Sequence, residues 1–63
     1  MPFAQIYLME GRSDEQKAAV IEKVTDALIE AVGAPRETVR VLVLDVPKGQ
    51  WGIGGKTAKS LGR

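Results

Sequence analysis

The 63-residue sequence predicts an α/β (α+β) fold, a single β-α-β unit with parallel strands and a short C-terminal hairpin. Three observations carry this. Residues 2–9 alternate in the manner of a strand; a capped, amphipathic segment runs from Ser13 to Gly33; and residues 39–46, "VRVLVLDV", form an apolar run rich in β-branched and leucine side chains. Two strands joined through a helical connection of this length require a parallel pairing and a right-handed crossover.

In the first strand, Pro2 sits at the opening position, where its missing N–H removes no ladder hydrogen bond. Ala4, Ile6 and Leu8 share one side, and Phe3, Gln5, Tyr7 and Met9 the other, so both faces carry apolar character. Glu10, Gly11 and Arg12 form a turn. Ser13 with Gln16 three residues later is a capping box, and Asp14 and Glu15 complement the positive end of the helix dipole. The expected buried stripe is Val20, Ile21, Val24, Ala27, Leu28 and Ala31, and Gly33 followed by Pro35 stops the helix. After a turn through Thr38, the 39–46 run is expected to be a fully buried strand, ended by Pro47, Lys48 and Gly49. In "KGQWGIGG" the four glycines between Gly49 and Gly55 point to a short hairpin or arm anchored by Trp51 and Ile53. Such an arm is expected to lie against a neighbouring subunit. Residues 56–63 form a polar tail, and the whole chain, 1–63, is one subunit.

A domain this short hides only about 60% of the surface its unfolded chain exposes, so a solitary fold is marginal. With no cysteine there are no disulfides to supplement it, and with no histidine either a zinc or transition-metal site would have to be built from carboxylates alone, against the usual ligand preference of these metals. Self-association remains. A net charge of +1 leaves no electrostatic footprint for nucleic acid, and no apolar run approaches the roughly 18 residues that span a membrane. No signal peptide is legible, so a cytoplasmic location is expected.

Several chemistries can be weighed directly. The segment "GIGGKT" resembles a phosphate-binding loop, but the position five before Gly55 is Gln50 rather than glycine, and the spacing fails. Asp14, Glu15, Glu22, Asp26 and Glu30 fall on the capped end or outer side of the helix and read as solvated charge. Ser13 is a cap with no histidine to activate it. Arg40 lies within an otherwise apolar strand, where a buried guanidinium needs a partner. Asp45 has the wrong parity to serve, which leaves a carboxylate across an interface or the anion of a ligand. Arg12, just ahead of the Ser13 cap, is poorly placed for helix stability but well placed to hold an anion, with a solvated turn arginine as the alternative. Once Met1 is removed, the nitrogen of Pro2 is a secondary amine, and no other group here serves as a base near neutral pH without a large perturbation. Burial and nearby arginines both favour its neutral form.

With the terminal proline, "EGRSDEQK", an arginine in the second strand and "KGQWGIGG" in order, the chain resembles the 4-oxalocrotonate tautomerase family from Pro2 to about Gly55. The resemblance implies subunits assembled as a homohexamer, a trimer of dimers, with active sites at subunit boundaries. It implies Pro2 as the general base, Arg12 as the holder of a distal carboxylate and Arg40 at the 2-oxo or 2-hydroxy end. Trp51 falls where the family usually has phenylalanine, and Leu8 and Ile53 match apolar pocket positions. The implied reaction is enol–keto tautomerisation of a small unsaturated oxo or hydroxy acid such as 2-hydroxymuconate, with no cofactor and no metal. Dehalogenation, hydration or decarboxylation of unsaturated acids on the same scaffold is the alternative activity, with Glu10 and Asp45 as the available water-activating carboxylates. A non-catalytic assembly subunit follows if Met1 is retained. Bulkier Trp51, Pro47 after the second strand and the basic residues Lys56, Lys59 and Arg63 depart from the family pattern.

Overall fold

Strand β1 (Phe3–Met9) pairs parallel with strand β2 (Arg40–Val46), in register from Phe3 opposite Arg40 to Met9 opposite Val46. The structure is a computed structural model that describes residues 1–63. Between the strands runs helix α1 (Asp14–Val32). Its start follows the local code: the Ser13 side chain accepts from the Gln16 N–H at 3.1 Å, and the Gln16 side chain accepts from the Ser13 N–H at 3.0 Å. Its end is equally local, because Gly33 adopts the left-handed conformation at φ 70° and donates its N–H to the Ile29 carbonyl.

The register assigns the two faces of the sheet. Ala4, Ile6 and Leu8 share a face with Val41, Val43 and Asp45, and α1 covers this side. The Lys17 ammonium contacts the Asp45 carboxylate at 2.8 Å and pins the first turns of α1 to β2. That hydrogen bond, helped by the charges of Asp45 and Asp14 and opposed by desolvation, raises Lys17 above its ordinary value of 10.5. Along α1 the half-buried positions are Lys17, Ala19, Val20, Val24, Thr25, Leu28 and Ile29. The expected stripe is therefore right for Val20, Val24 and Leu28, while Ile21, Ala27 and Ala31 are exposed.

The opposite face of the sheet is bare. Phe3 is 61% exposed, Tyr7 55% and Leu42 42%. The expectation of a fully buried second strand therefore fails within one chain: no residue of β2 is buried, and Arg40, Leu42 and Asp45 are exposed. Only Val39 and Ala58 of 63 residues are buried. The accessible surface is 4652 Å², against about 3,950 Å² for a folded monomer of this mass. The Cα radius of gyration of 14.5 Å exceeds the roughly 11 Å of a compact chain of this length, and the molecule is a slab of 43 × 23 × 13 Å. One copy has no self-sufficient core.

Beyond β2, a 3₁₀ turn at Lys48–Gln50 leads into a hairpin of β3 (Gly52–Ile53) and β4 (Lys56–Thr57). Gly54 and Gly55 form its tip with φ of 60° and 88°, the two consecutive positive values that a tight two-residue hairpin turn requires. The residues after β4 fold back onto the arm. Ala58, fully buried, donates its N–H to the Trp51 carbonyl at 2.8 Å, and the Lys59 N–H reaches the Lys48 carbonyl at 3.2 Å. The polar segment from Lys56 onward thus includes a strand and closes the base of the arm.

Candidate active site

Two groups of side chains singled out from the sequence lie at opposite ends of the paired strands. At the N-terminal end, the Pro2 carbonyl accepts from the Arg40 N–H at 3.0 Å, which fixes the starts of β1 and β2 side by side. Pro2 is half-buried beside an open depression of about 570 Å³ lined by Met1, Pro2, Val32, Ala34, Pro35 and Thr38. The 3₁₀ turn Arg36–Thr38 forms one wall and is closed by the Thr38 hydroxyl, which donates to the Pro35 carbonyl at 2.7 Å.

Arg40 is not buried, contrary to the expectation from its apolar neighbours. It is the first residue of β2 and lies on the sheet face that α1 leaves open. Its guanidinium donates to the Glu37 carbonyl at 2.6 Å and to the Val39 carbonyl at 3.3 Å, and no carboxylate of the chain pairs with it. Asp45 faces the other side of the sheet, as parity requires, and is occupied by Lys17. Arg40 is thus oriented by neutral acceptors with its positive charge uncompensated, an arrangement suited to an anion.

At the C-terminal end of the strands, Gly11 at φ 114° turns the chain from Glu10 to Arg12. Arg12 is exposed and makes neither an ion pair nor a side-chain hydrogen bond. The arm that carries half-buried Trp51 and Ile53 leaves from this same end. Leu8 is also here, but it shares the face that packs under α1; Met9 is its neighbour on the open face, a position that the alternation of β1 already marks. A strand of seven residues at about 3.3 Å each separates the two ends by roughly 20 Å. One chain therefore places Pro2 next to Arg40, and Arg12 at the root of the Trp51 arm, but does not unite the two groups.

The other carboxylates named from the sequence have structural occupations. Asp45 pairs with Lys17, and Glu10 accepts from the Lys48 N–H at 2.7 Å. Asp26 pairs with Arg36 at 2.7 Å on the surface. No three acidic side chains converge as a metal site, and no helix is long and apolar enough to cross a membrane.

The family described as "Tautomerase enzyme" matches residues 2–60. Over all 63 residues of both chains, the protein is 71% identical to a 2-hydroxymuconate tautomerase of Comamonas testosteroni and 64% identical to one of Pseudomonas putida. Among solved structures, one of the 4-oxalocrotonate tautomerase isozymes from Methylibium petroleiphilum superposes with a TM-score of 0.95 at 72% identity, covering 98% of this chain and 100% of that one. A heterohexamer 4-oxalocrotonate tautomerase from Chloroflexus aurantiacus matches with a TM-score of 0.91 at 34% identity, over 97% of this chain and 98% of the other. With the family match spanning almost its entire length and these relatives matched end to end, the chain belongs to the tautomerase family.

Proposed function

We propose that this chain is a cofactor-independent isomerase that converts a dienol of the 2-hydroxymuconate type to its conjugated ketone, with the nitrogen of Pro2 as general base. The observation that carries the reading is Pro2 at an apolar depression beside an arginine whose charge no carboxylate neutralises. The full-length similarity to 2-hydroxymuconate tautomerases supports the substrate class.

The base exists only after Met1 has been removed, because an acylated proline nitrogen has no available lone pair. Met1 is 90% exposed, so an aminopeptidase can reach it. In the proposed cycle the freed nitrogen takes the proton of the 2-hydroxyl group. The oxygen's electron pair forms the carbonyl, the conjugated π electrons move away from it, and the protonated nitrogen returns a proton to the distal carbon. Atoms and charge balance, and no oxidant or metal is needed. Arg40 stabilises the oxygen as charge develops on it, Arg12 holds the remote carboxylate, and Trp51, Ile53 and the residues around Leu8 exclude water.

Because Pro2 and Arg12 of one chain stand at opposite ends of β1, a complete site of this kind takes residues from more than one copy. A homohexamer arranged as a trimer of dimers meets that need. It also covers Phe3, Tyr7 and Leu42 on the bare face of the sheet. Hydration or dehalogenation is less well supported, since Glu10 and Asp45 are both engaged within the chain.

The test is spectrophotometric conversion of 2-hydroxymuconate by protein whose intact mass shows the loss of Met1. Replacing the base in Pro2→Ala is expected to lower kcat by about 10²–10⁴. Equal rates for the two proteins would overturn the assignment, and full retention of Met1 in active protein would do the same.

A further inference from the structure

The turn that presents Arg12 and the arm that presents Trp51 are joined by one side-chain contact across 38 residues of sequence, Glu10 to the Lys48 N–H at 2.7 Å. Its local logic is that of a cap. The 3₁₀ turn Lys48–Gln50 opens after Pro47, whose side chain offers no acceptor for the free N–H groups at the start of such a turn. Glu10 supplies that acceptor from β1's end, while its own N–H donates to the Val46 carbonyl at 2.9 Å. Lys48 is gripped from the other side as well, because its carbonyl accepts from the Lys59 N–H. The carboxylate meets the main chain of Lys48 and makes no ion pair with its ammonium.

We propose that Glu10 is a positioning residue, a clasp that fixes the Trp51 arm relative to Arg12 and thereby sets the geometry of the substrate's distal end. This rests on the reading of Arg12 and Trp51 as parts of the binding site, and it assigns Glu10 a role different from water activation. Arg12 stands two residues beyond the clasp and Trp51 three beyond its other jaw, so both inherit their placement from it. A charge-assisted bond to a backbone N–H is suited to this, since it holds the arm's root without depending on a flexible partner side chain.

Trp51 is the only tryptophan, so its fluorescence reports on the arm whatever the substrate is. The experiment compares wild type, Glu10→Ala and Glu10→Gln, the last keeping a neutral acceptor of nearly the same shape. The probes are acrylamide quenching of Trp51 and steady-state kinetics with 2-hydroxymuconate. Glu10→Ala is expected to increase quenching and to raise KM about three- to tenfold, the scale of one exposed charge-assisted bond, with a much smaller change in kcat. Glu10→Gln is expected to recover most of both effects. Unchanged quenching in both variants would overturn the clasp, and so would a Glu10→Gln protein that loses kcat while keeping wild-type quenching and KM. If wild type does not turn over the dienol, the tautomerase reading fails by itself, and quenching still decides the clasp. Should Glu10→Ala fail to fold, Glu10→Ser, whose side chain is two carbons shorter than the glutamate that reaches the Lys48 N–H, takes its place: stronger quenching and a raised KM support the clasp, and wild-type quenching overturns it.

Discussion

A proline nitrogen freed from its methionine is a secondary amine whose ordinary pKa lies above the roughly 7.7–8.0 of other α-amino groups, so useful basicity near neutral pH requires an environment that disfavours its charge. On the proposed reading each chain supplies part of that environment, the apolar wall of Val32, Ala34 and Pro35, with the main chain of Arg40 alongside Pro2. On the same proposed reading the two arginines divide the work by position. Arg40, fixed by the Glu37 and Val39 carbonyls, is suited to the oxygen on which charge appears, whereas Arg12, unpaired on a glycine turn, is suited to a charge present throughout the reaction. Arg40→Ala is accordingly expected to lower kcat by about 10²–10³, and Arg12→Ala chiefly to raise KM for diacids, as separate determination of kcat and KM will show. Both arginines stand out in the sequence because each sits where a cation is out of place. The burial predicted for Arg40 fails because a strand flanked by apolar residues can still turn one face outward.

The helix shows which elements sequence makes plain. Its Ser13–Gln16 capping box and Gly33 stop involve residues within one turn of each other, so the local pattern determines them. Ser13→Ala removes the acceptor for one free N–H and is expected to cost about 1 kcal/mol, read as a lower midpoint in denaturation at fixed protein concentration. The stripe was less legible, because which apolar positions are covered depends on how the helix is seated on the sheet, and none is fully buried within one chain. Val20, Val24 and Leu28 are half-buried, whereas Ile21, Ala27 and Ala31 are exposed. The alternation of β1 also separates Leu8 from Met9, yet it cannot say which face the helix chooses. The link from Glu10 to Lys48 left no trace in the sequence, since nothing local marks a contact 38 residues apart.

At the scale of the whole molecule, a slab with two buried residues and an excess of exposed surface is one piece of something larger. Length alone indicated the deficit; the bare face of the sheet shows where it lies. The separation of Pro2 from Arg12 adds a functional reason for assembly. Co-refolding Pro2→Ala chains with Arg12→Ala chains is expected to restore, at substrate concentrations below KM, activity above the sum of the two variants alone. No gain on mixing would place both residues of each site on a single chain. The most direct test of the account concerns the base in its assembled surroundings: titration of the Pro2 nitrogen by nitrogen NMR in protein lacking Met1. The account predicts a midpoint below the ordinary α-amino range, and a nitrogen still fully protonated beyond about pH 9 would contradict it.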